Sequence, residues 1–346
     1  MKTKAIILAA TVCFLFYGCS SEKATGKQHS KRFTNEVLLS STPVKNQGRS
    51  SLCWAYAMLA TIETEHIMRG DSVNLSPAYV ARAFMMEQAD RCYLSRGGKS
   101  IKLRGMMPQL IRLIQTYGLM PYDSYHSENN LNVAQRKLRT MIRTEAARGL
   151  GIKRMRENAD KLLDNCINPL PRHVYMFSME YTPLEFAHSV CMPDEYTGFT
   201  SFTHFPFGKK AVVDVPDNYD NYRFVNIPID KLINLAERSL RSGHPVCWEG
   251  DTSESGFSFQ KGIADVSERD RNCSQASRQR QFETFRTTDD HCMAIIGIAR
   301  DEKGRKFFIC KNSWGTANEY GGLMYMSFDY ARLKTIAVMV NGLAIS

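Results

Sequence analysis

No Cys-x-x-Cys pair occurs in the 346 residues, although the chain has ten cysteines. Without closely spaced ligand pairs a zinc site is not supported. Several of the cysteines lie in apolar runs, where a buried free thiol is the ordinary state. The N-terminal apolar run, Ala5 to Tyr17, falls short of the roughly 20 residues that a membrane-spanning helix needs. What is present describes a globular chain: 43% hydrophobic and 23% charged residues suit one large domain or two modest ones. The net charge of +10 and pI near 9.1 bear on solubility and on weak attraction to anionic surfaces, and leave the fold open.

Lys2 and Lys4 precede the apolar run and Gly18-Cys19 follows it, so residues 1–18 read as an export signal. Gly18-Cys19-Ser20-Ser21 resembles a bacterial lipoprotein processing site. That resemblance implies lipidation of the Cys19 thiol and attachment to a bacterial membrane, at its periplasmic face or at the cell surface. Ordinary cleavage nearby, giving a secreted protein, is the alternative. Residues 19–41, polar over much of their length, read as a tether.

The chemistry gathers in three segments. In the first, Pro43-Val-Lys-Asn-Gln47-Gly48 leads through Ser50 to Cys53-Trp54-Ala55, a turn-rich loop running into a helix. Ala57, Met58, Thr61, Ile62 and Met68 recur at helical spacing, and Gly70 supplies the stop. A thiol in the first turn of a helix meets unpaired N–H groups and the positive end of the dipole. Both lower its pKa from the usual value of about 8.5. In the second segment, Asp290-His291 enters an apolar run of the kind a buried strand shows. The third carries Asn312-Ser-Trp314-Gly315 after a short turn. Two adjacent strands would place His291 beside Asn312, so that one ring nitrogen donates to the amide while the other faces the thiolate. Trp314 would shield that bond from water.

Gln47-Gly48, Cys53-Trp54, Asp290-His291 and Asn312-Ser-Trp-Gly315, in that chain order, resemble the papain-like cysteine peptidases. The implied fold is α+β with two lobes, one helical and one β-rich. The implied roles are Cys53 as nucleophile, His291 as base, Asn312 as its orienter, and Gln47 with the Cys53 N–H as oxyanion donors, with Trp54, Asp290 and Trp314 in support. No cofactor or metal is implied. The cysteine that papain carries three residues before its nucleophile is Ser50 here, so that family disulfide is missing.

Leu75-Ser-Pro-Ala-Tyr79, Thr200-Ser-Phe-Thr-His-Phe-Pro-Phe207, Val215-Pro-Asp-Asn-Tyr219 and Pro245-Val-Cys-Trp248 are more similar to the bleomycin hydrolase and aminopeptidase C branch. The expected layout is a helical lobe over 42–119, a helical insertion over 120–195 and a β-rich lobe over 196–346. In the insertion, Leu131, Ala134, Leu138, Met141 and Ile142 form one apolar stripe, and residues 158–166 form another. Between Arg136 and Arg156 eight Lys or Arg meet the single acid Glu145. A solvated face explains that run better than a patch for anionic lipid, polysaccharide or nucleic acid, since no interleaved aromatics or nucleic-acid motif accompany it. His204, set among aromatic residues, reads as structural, and Cys92, Cys247, Cys292 and Cys310 read as core.

The branch implies an aminopeptidase whose own C-terminal carboxylate lies in the cleft and takes the substrate amine, and it leaves room for an oligomer. Only Asn341–Ser346 follow the last apolar strand, Ile336 to Val340. That short tail keeps an open-cleft endopeptidase as the rival for a peptide or protein substrate. A surface-binding protein on a retired peptidase fold is the reading from a different class.

Overall fold

In a computed structural model residues 33–176, 178–267 and 272–345 are described; the export signal and Cys19 lie outside them. Strand β1 (Phe33–Leu38) precedes helices α1 (Cys53–Met68), α2 (Pro77–Leu94), α3 (Met107–Tyr117), α4 (Leu131–Arg148) and α5 (Ile152–Cys166). The hairpin β2 (Val174–Met176) and β3 (Met179–Tyr181) leads to α6 (Pro183–Val190). Then come β4 (Tyr196–Thr200), β5 (Lys210–Val212), β6 (Arg223–Asn226), α7 (Ile229–Arg241), β7 (Val246–Gly250), β8 (Phe257–Ser258), β9 (Ile263–Ala264) and α8 (Gln275–Glu283). The chain finishes with β10 (His291–Asp301), β11 (Lys306–Lys311), β12 (Leu323–Ser327), α9 (Phe328–Lys334) and β13 (Thr335–Asn341).

Helix starts follow the side chains available to cap them. Ser76 accepts the Tyr79 N–H at 3.0 Å ahead of Pro77, and Thr182 with Glu185 forms a capping box at α6. Helices α1, α3, α5 and α7 start without such a side chain. At α1 Leu52 occupies the N-cap, so no side chain takes the first N–H groups, those of Cys53 and Trp54. Its flanks are buried on nearly every side, from Trp54 to His66, as befits a helix at the centre of a molecule.

Two cores meet across α1. One joins Trp54, Met58 and Phe84 with Leu138, Ile142, Met155 and Leu163, so the inserted helices share the core of the first lobe. The other joins Ala60 of α1 with Trp248, Met293, Phe307, Phe308 and Tyr330. The sheet runs β5-β6-β4-β13-β7-β10-β11-β12-β9-β8. Among the described residues all its pairings are antiparallel except β4 with β6 and β9 with β12.

Two expectations need correction. Phe33–Leu38, placed in the tether, is a strand: β10 outruns β7, which covers His291 to Ile295, and β1 pairs with the remainder, Gly297 to Asp301. Phe33 fixes it by stacking on Tyr325 at 4.0 Å. The stretch 120–195 is also less purely helical than its periodicity suggests, since β2 and β3 interrupt it.

Candidate active site

Cys53 opens α1, and the α1 face packs on β10, whose first residue is His291. The strand pair β10 and β11, registered with Ala294 opposite Lys311, brings Asn312 beside the ring, as the sequence predicts. Asn312 Oδ1 lies 2.7 Å from His291 Nε2 and also accepts the Ser313 N–H at 2.7 Å. The backbone donor fixes which amide atom is oxygen, so Nε2 carries the ring proton and Nδ1 is left as the acceptor on the Cys53 side. Both side chains are almost wholly buried, and Asn312 Nδ2 has no partner among the described residues. Trp314 covers the pair with its ring 4.5 Å from that of His291, and is itself held edge-on by Phe257 and Phe259.

The Cys53 thiol is held well below its ordinary pKa. The leading cause is a hydrogen bond from the Cys292 thiol; burial opposes it, and the bond and charge of His291 add to it. Cys292 was expected as inert core. It is buried, and its own thiol is pushed well up by burial and by the neighbouring Cys53, so it stays protonated and able to donate.

Gln47 sits on the β11 flank of β10. Its N–H donates to Ser313 O at 2.8 Å, Ser313 Oγ donates to its Oε1 at 2.5 Å, and its Nε2 donates to Ser50 O at 2.7 Å. One Nε2 hydrogen therefore stays uncommitted among the described residues. The loop is anchored from beneath by Glu63 of α1, which is fully buried and takes bonds from Thr42, from Lys45 at 2.6 Å and from the Leu75 N–H at 2.7 Å. Lys311 donates to Thr42 Oγ1 at 2.6 Å.

The supporting residues divide. Trp54 donates through Nε1 to Leu103 O at 2.8 Å and packs edge-on against Phe84, which secures α1 in the first core. Asp290 turns away from the imidazole and binds the Thr252 N–H at 2.8 Å and its hydroxyl at 3.0 Å, pinning the loop after β7. His204 stacks on Phe282 and meets Gln279 at 2.8 Å, a structural role.

The β7 flank holds groups that sequence reasoning missed. Glu249 is directly opposite Cys292 in the β7 and β10 pairing. It is 1% exposed, and burial pushes its carboxyl well up. Asp217 and Asp289 are near enough to raise it further. Asp217 accepts Arg104 Nε at 2.7 Å while its own N–H donates to Asp289 Oδ2 at 2.9 Å. Burial raises Asp217 to about 6 and raises Asp289 as well. Tyr219 OH donates to Arg104 O at 3.1 Å, Lys102 lies over the Tyr219 ring, and Arg112 Nε donates to Tyr222 OH at 3.1 Å. The segment from Asp217 to Tyr222 thus crosses from the β-rich lobe onto the helical lobe beside Cys53. A charged residue inside the apolar run Val246–Gly250 was the available signal. Among the described residues no set of His, Cys, Asp or Glu is arranged to hold a metal ion.

The expected cleft-plugging tail is not found. Asn341, Gly342 and Leu343 line a cavity of about 480 Å³ with His66, Arg69 and Glu195, and the Gly342 N–H donates to Glu195 O at 2.7 Å. His66 lies thirteen residues along α1 from Cys53, about 20 Å away at 1.5 Å per residue. Ile345 lines a second cavity with Lys231 and Leu235 of α7. Ser346 lies outside the described residues. The segment leaves β13 at the wrong end of α1, because β13 runs antiparallel to β7, whose C-terminal end is the one beside His291.

The model of the Peptidase C1-like family matches residues 172–344, half of the chain. Cysteine proteinase 1, mitochondrial, of Saccharomyces cerevisiae is 24% identical over 91% of this chain and 78% of its own length. Aminopeptidase C of Streptococcus thermophilus is 23% identical over 82% of this chain and 76% of its own. Among solved structures, PepW from Lactobacillus rhamnosis superposes with a TM-score of 0.69 at 17% identity, over 90% of this chain and 83% of that one. The fold is papain-like, α+β with a helical and a β-rich lobe. The chain belongs to the Peptidase C1-like family of cysteine peptidases, in the bleomycin hydrolase and aminopeptidase C branch.

Proposed function

We propose that the protein hydrolyses peptide bonds through a thioester on Cys53, and that it does so as an aminopeptidase. The single observation behind the first part is the convergence of the lowered Cys53 thiol with a His291 ring whose Nε2 is committed to Asn312. In this reading Cys53 Sγ attacks the scissile carbonyl. The Cys53 N–H and Gln47 Nε2 hold the oxyanion; His291 Nδ1, having taken the Cys53 thiol proton, passes it to the leaving amine and then takes one from the water that attacks the thioester. A retired binding protein would have no use for a thiol held well below its ordinary pKa, or for an imidazole held in one tautomer.

The aminopeptidase part is supported by the carboxyl groups gathered on the Cys53 flank opposite Gln47, where Asp217 pairs with Arg104 and Glu249 lies opposite Cys292, chemistry suited to an ammonium group. It is also supported by the similarity to a relative named Aminopeptidase C. The tail position at the far end of α1 favours the endopeptidase rival. The test is the ratio of kcat/KM on an alanyl anilide with a free amine to that on its N-acetylated form. A ratio of about 100 or more is expected if an ammonium contact that is partly out of water is lost on acetylation. A ratio near one would establish the endopeptidase.

A further inference from the structure

The Cys53 flank next to β7 gathers more carboxyl groups than a thiolate enzyme has reason to tolerate. Glu249, Asp217 and Asp289 all act on the same region, and Asp217 and Glu249 each lie close enough to exchange charge effects with Cys53. The guanidinium of Arg104 is spent on Asp217 and on the Asp289 carbonyl, the latter at 3.0 Å. Carboxylates around a thiolate oppose its formation. Glu249 is the least satisfied of them. It is 1% exposed and its Oε2 has no partner among the described residues. In the strand pairing it is separated from Cys53 only by the Cys292 thiol. The Cys292 thiol bonds to it, and ionising a carboxyl buried in this way is costly unless something of opposite charge reaches it.

Building on the aminopeptidase reading, we infer that Glu249 receives the α-ammonium group of the substrate. The chain's own C-terminal segment, held about 20 Å away beside His66, is not placed to do so. The site chemistry is consistent at each end of the scissile residue. The oxyanion donors sit on the β11 flank, so a carbonyl held there directs the amine of the same residue toward β7. Before substrate arrives, burial keeps the Glu249 carboxyl neutral and the thiolate undisturbed. The incoming ammonium favours its ionisation, and the new pair then screens Cys53 from Asp217 and Asp289. A peptide whose amine is acetylated brings no charge and leaves the carboxyl unpaired.

The experiment compares the wild type with Glu249→Gln and Glu249→Asp on three anilides: free alanyl, acetyl-alanyl and acetyl-lysyl-alanyl. Titration of Cys53 with iodoacetamide and the melting temperature report whether each variant is folded. Glu249→Gln is expected to raise KM for the free alanyl anilide on the order of 30-fold, with a much smaller change in kcat. Glu249→Asp, one methylene shorter but still acidic, is expected to fall between. If the wild type requires the free amine and both variants keep its KM, the assignment of Glu249 is overturned while the aminopeptidase reading stands. If the wild type cleaves the acetylated anilide as well as the free one, the aminopeptidase reading itself fails. Loss confined to the acetyl-lysyl-alanyl anilide would also overturn the assignment, because the carboxyl would then be reading a side-chain ammonium one residue upstream.

Discussion

Cys292 shows how far one neighbour can set the acidity of Cys53, the proposed nucleophile. Its thiol is the leading cause of the low Cys53 pKa, ahead of His291. Cys292 is itself kept protonated by burial, so it donates and does not compete for the proton. Cys292→Ala is therefore expected to move the acid limb of the kcat/KM profile to higher pH: the thiolate is lost as pH falls through the folded-state pKa, and that pKa rises when the donor is removed. Cys292→Ser, which keeps a donor, should move it less. An unchanged acid limb in Cys292→Ala would assign the lowering to His291 and the helix start alone. The sequence placed Cys292 in an apolar run and so in the core. It is buried, but the partner that gives it a role lies on another element, which no local pattern reveals.

At the scale of elements, α1 carries Cys53 at one end and, through Glu63, braces the loop that holds Gln47. Lys311 of β11 joins that brace from within the protein. It is 4% exposed, and burial lowers it from 10.5 to about 8 despite the attraction of Glu63. Folding thus works against the charged form. Between about pH 8 and 10.5 the unfolded chain binds more protons at this position than the folded one, so stability rises with pH across that window. The contribution is up to about 3 kcal/mol. Denaturant titrations at pH 7.5 and 9.5 should show this rise in the wild type relative to Lys311→Met; an identical pH dependence in both would refute it. Sequence periodicity located α1, α4 and α5 because apolar residues at helical spacing mark a face to be buried. It gave no sign of β1, whose existence depends on the unpaired length of β10, nor of the β2 and β3 hairpin.

Across the whole molecule, the residues proposed to carry the chemistry lie in the segments whose local structure was most legible in the sequence. Gln47, Cys53, His291 and Asn312 each lie in a short segment whose own turn, helix start or strand prepares them, and a single strand pair unites the last two. The acidic flank was illegible for the opposite reason. Glu249 meets Cys292 across a strand register, and Asp217 meets Arg104 across the two lobes, 113 residues apart in the chain. The cleft position that the branch resemblance implies for the tail is not reached by the described residues, because the direction of β13 carries them the other way. Removing residues 343–346 should accordingly leave the preference between free and acetylated anilides unchanged, and a deletion that created activity on acetylated peptides would return the tail to the cleft.

The account as a whole depends on Cys53 being the reacting thiol among the eight cysteines of the described residues. Labelling the intact protein with an epoxysuccinyl inhibitor and mapping the adduct by peptide mass spectrometry addresses this directly. A single adduct on Cys53 is predicted, with hydrolysis lost in proportion to labelling and both absent in a folded Cys53→Ala variant. An adduct on any other cysteine that abolishes activity, or undiminished hydrolysis by Cys53→Ala, would contradict it.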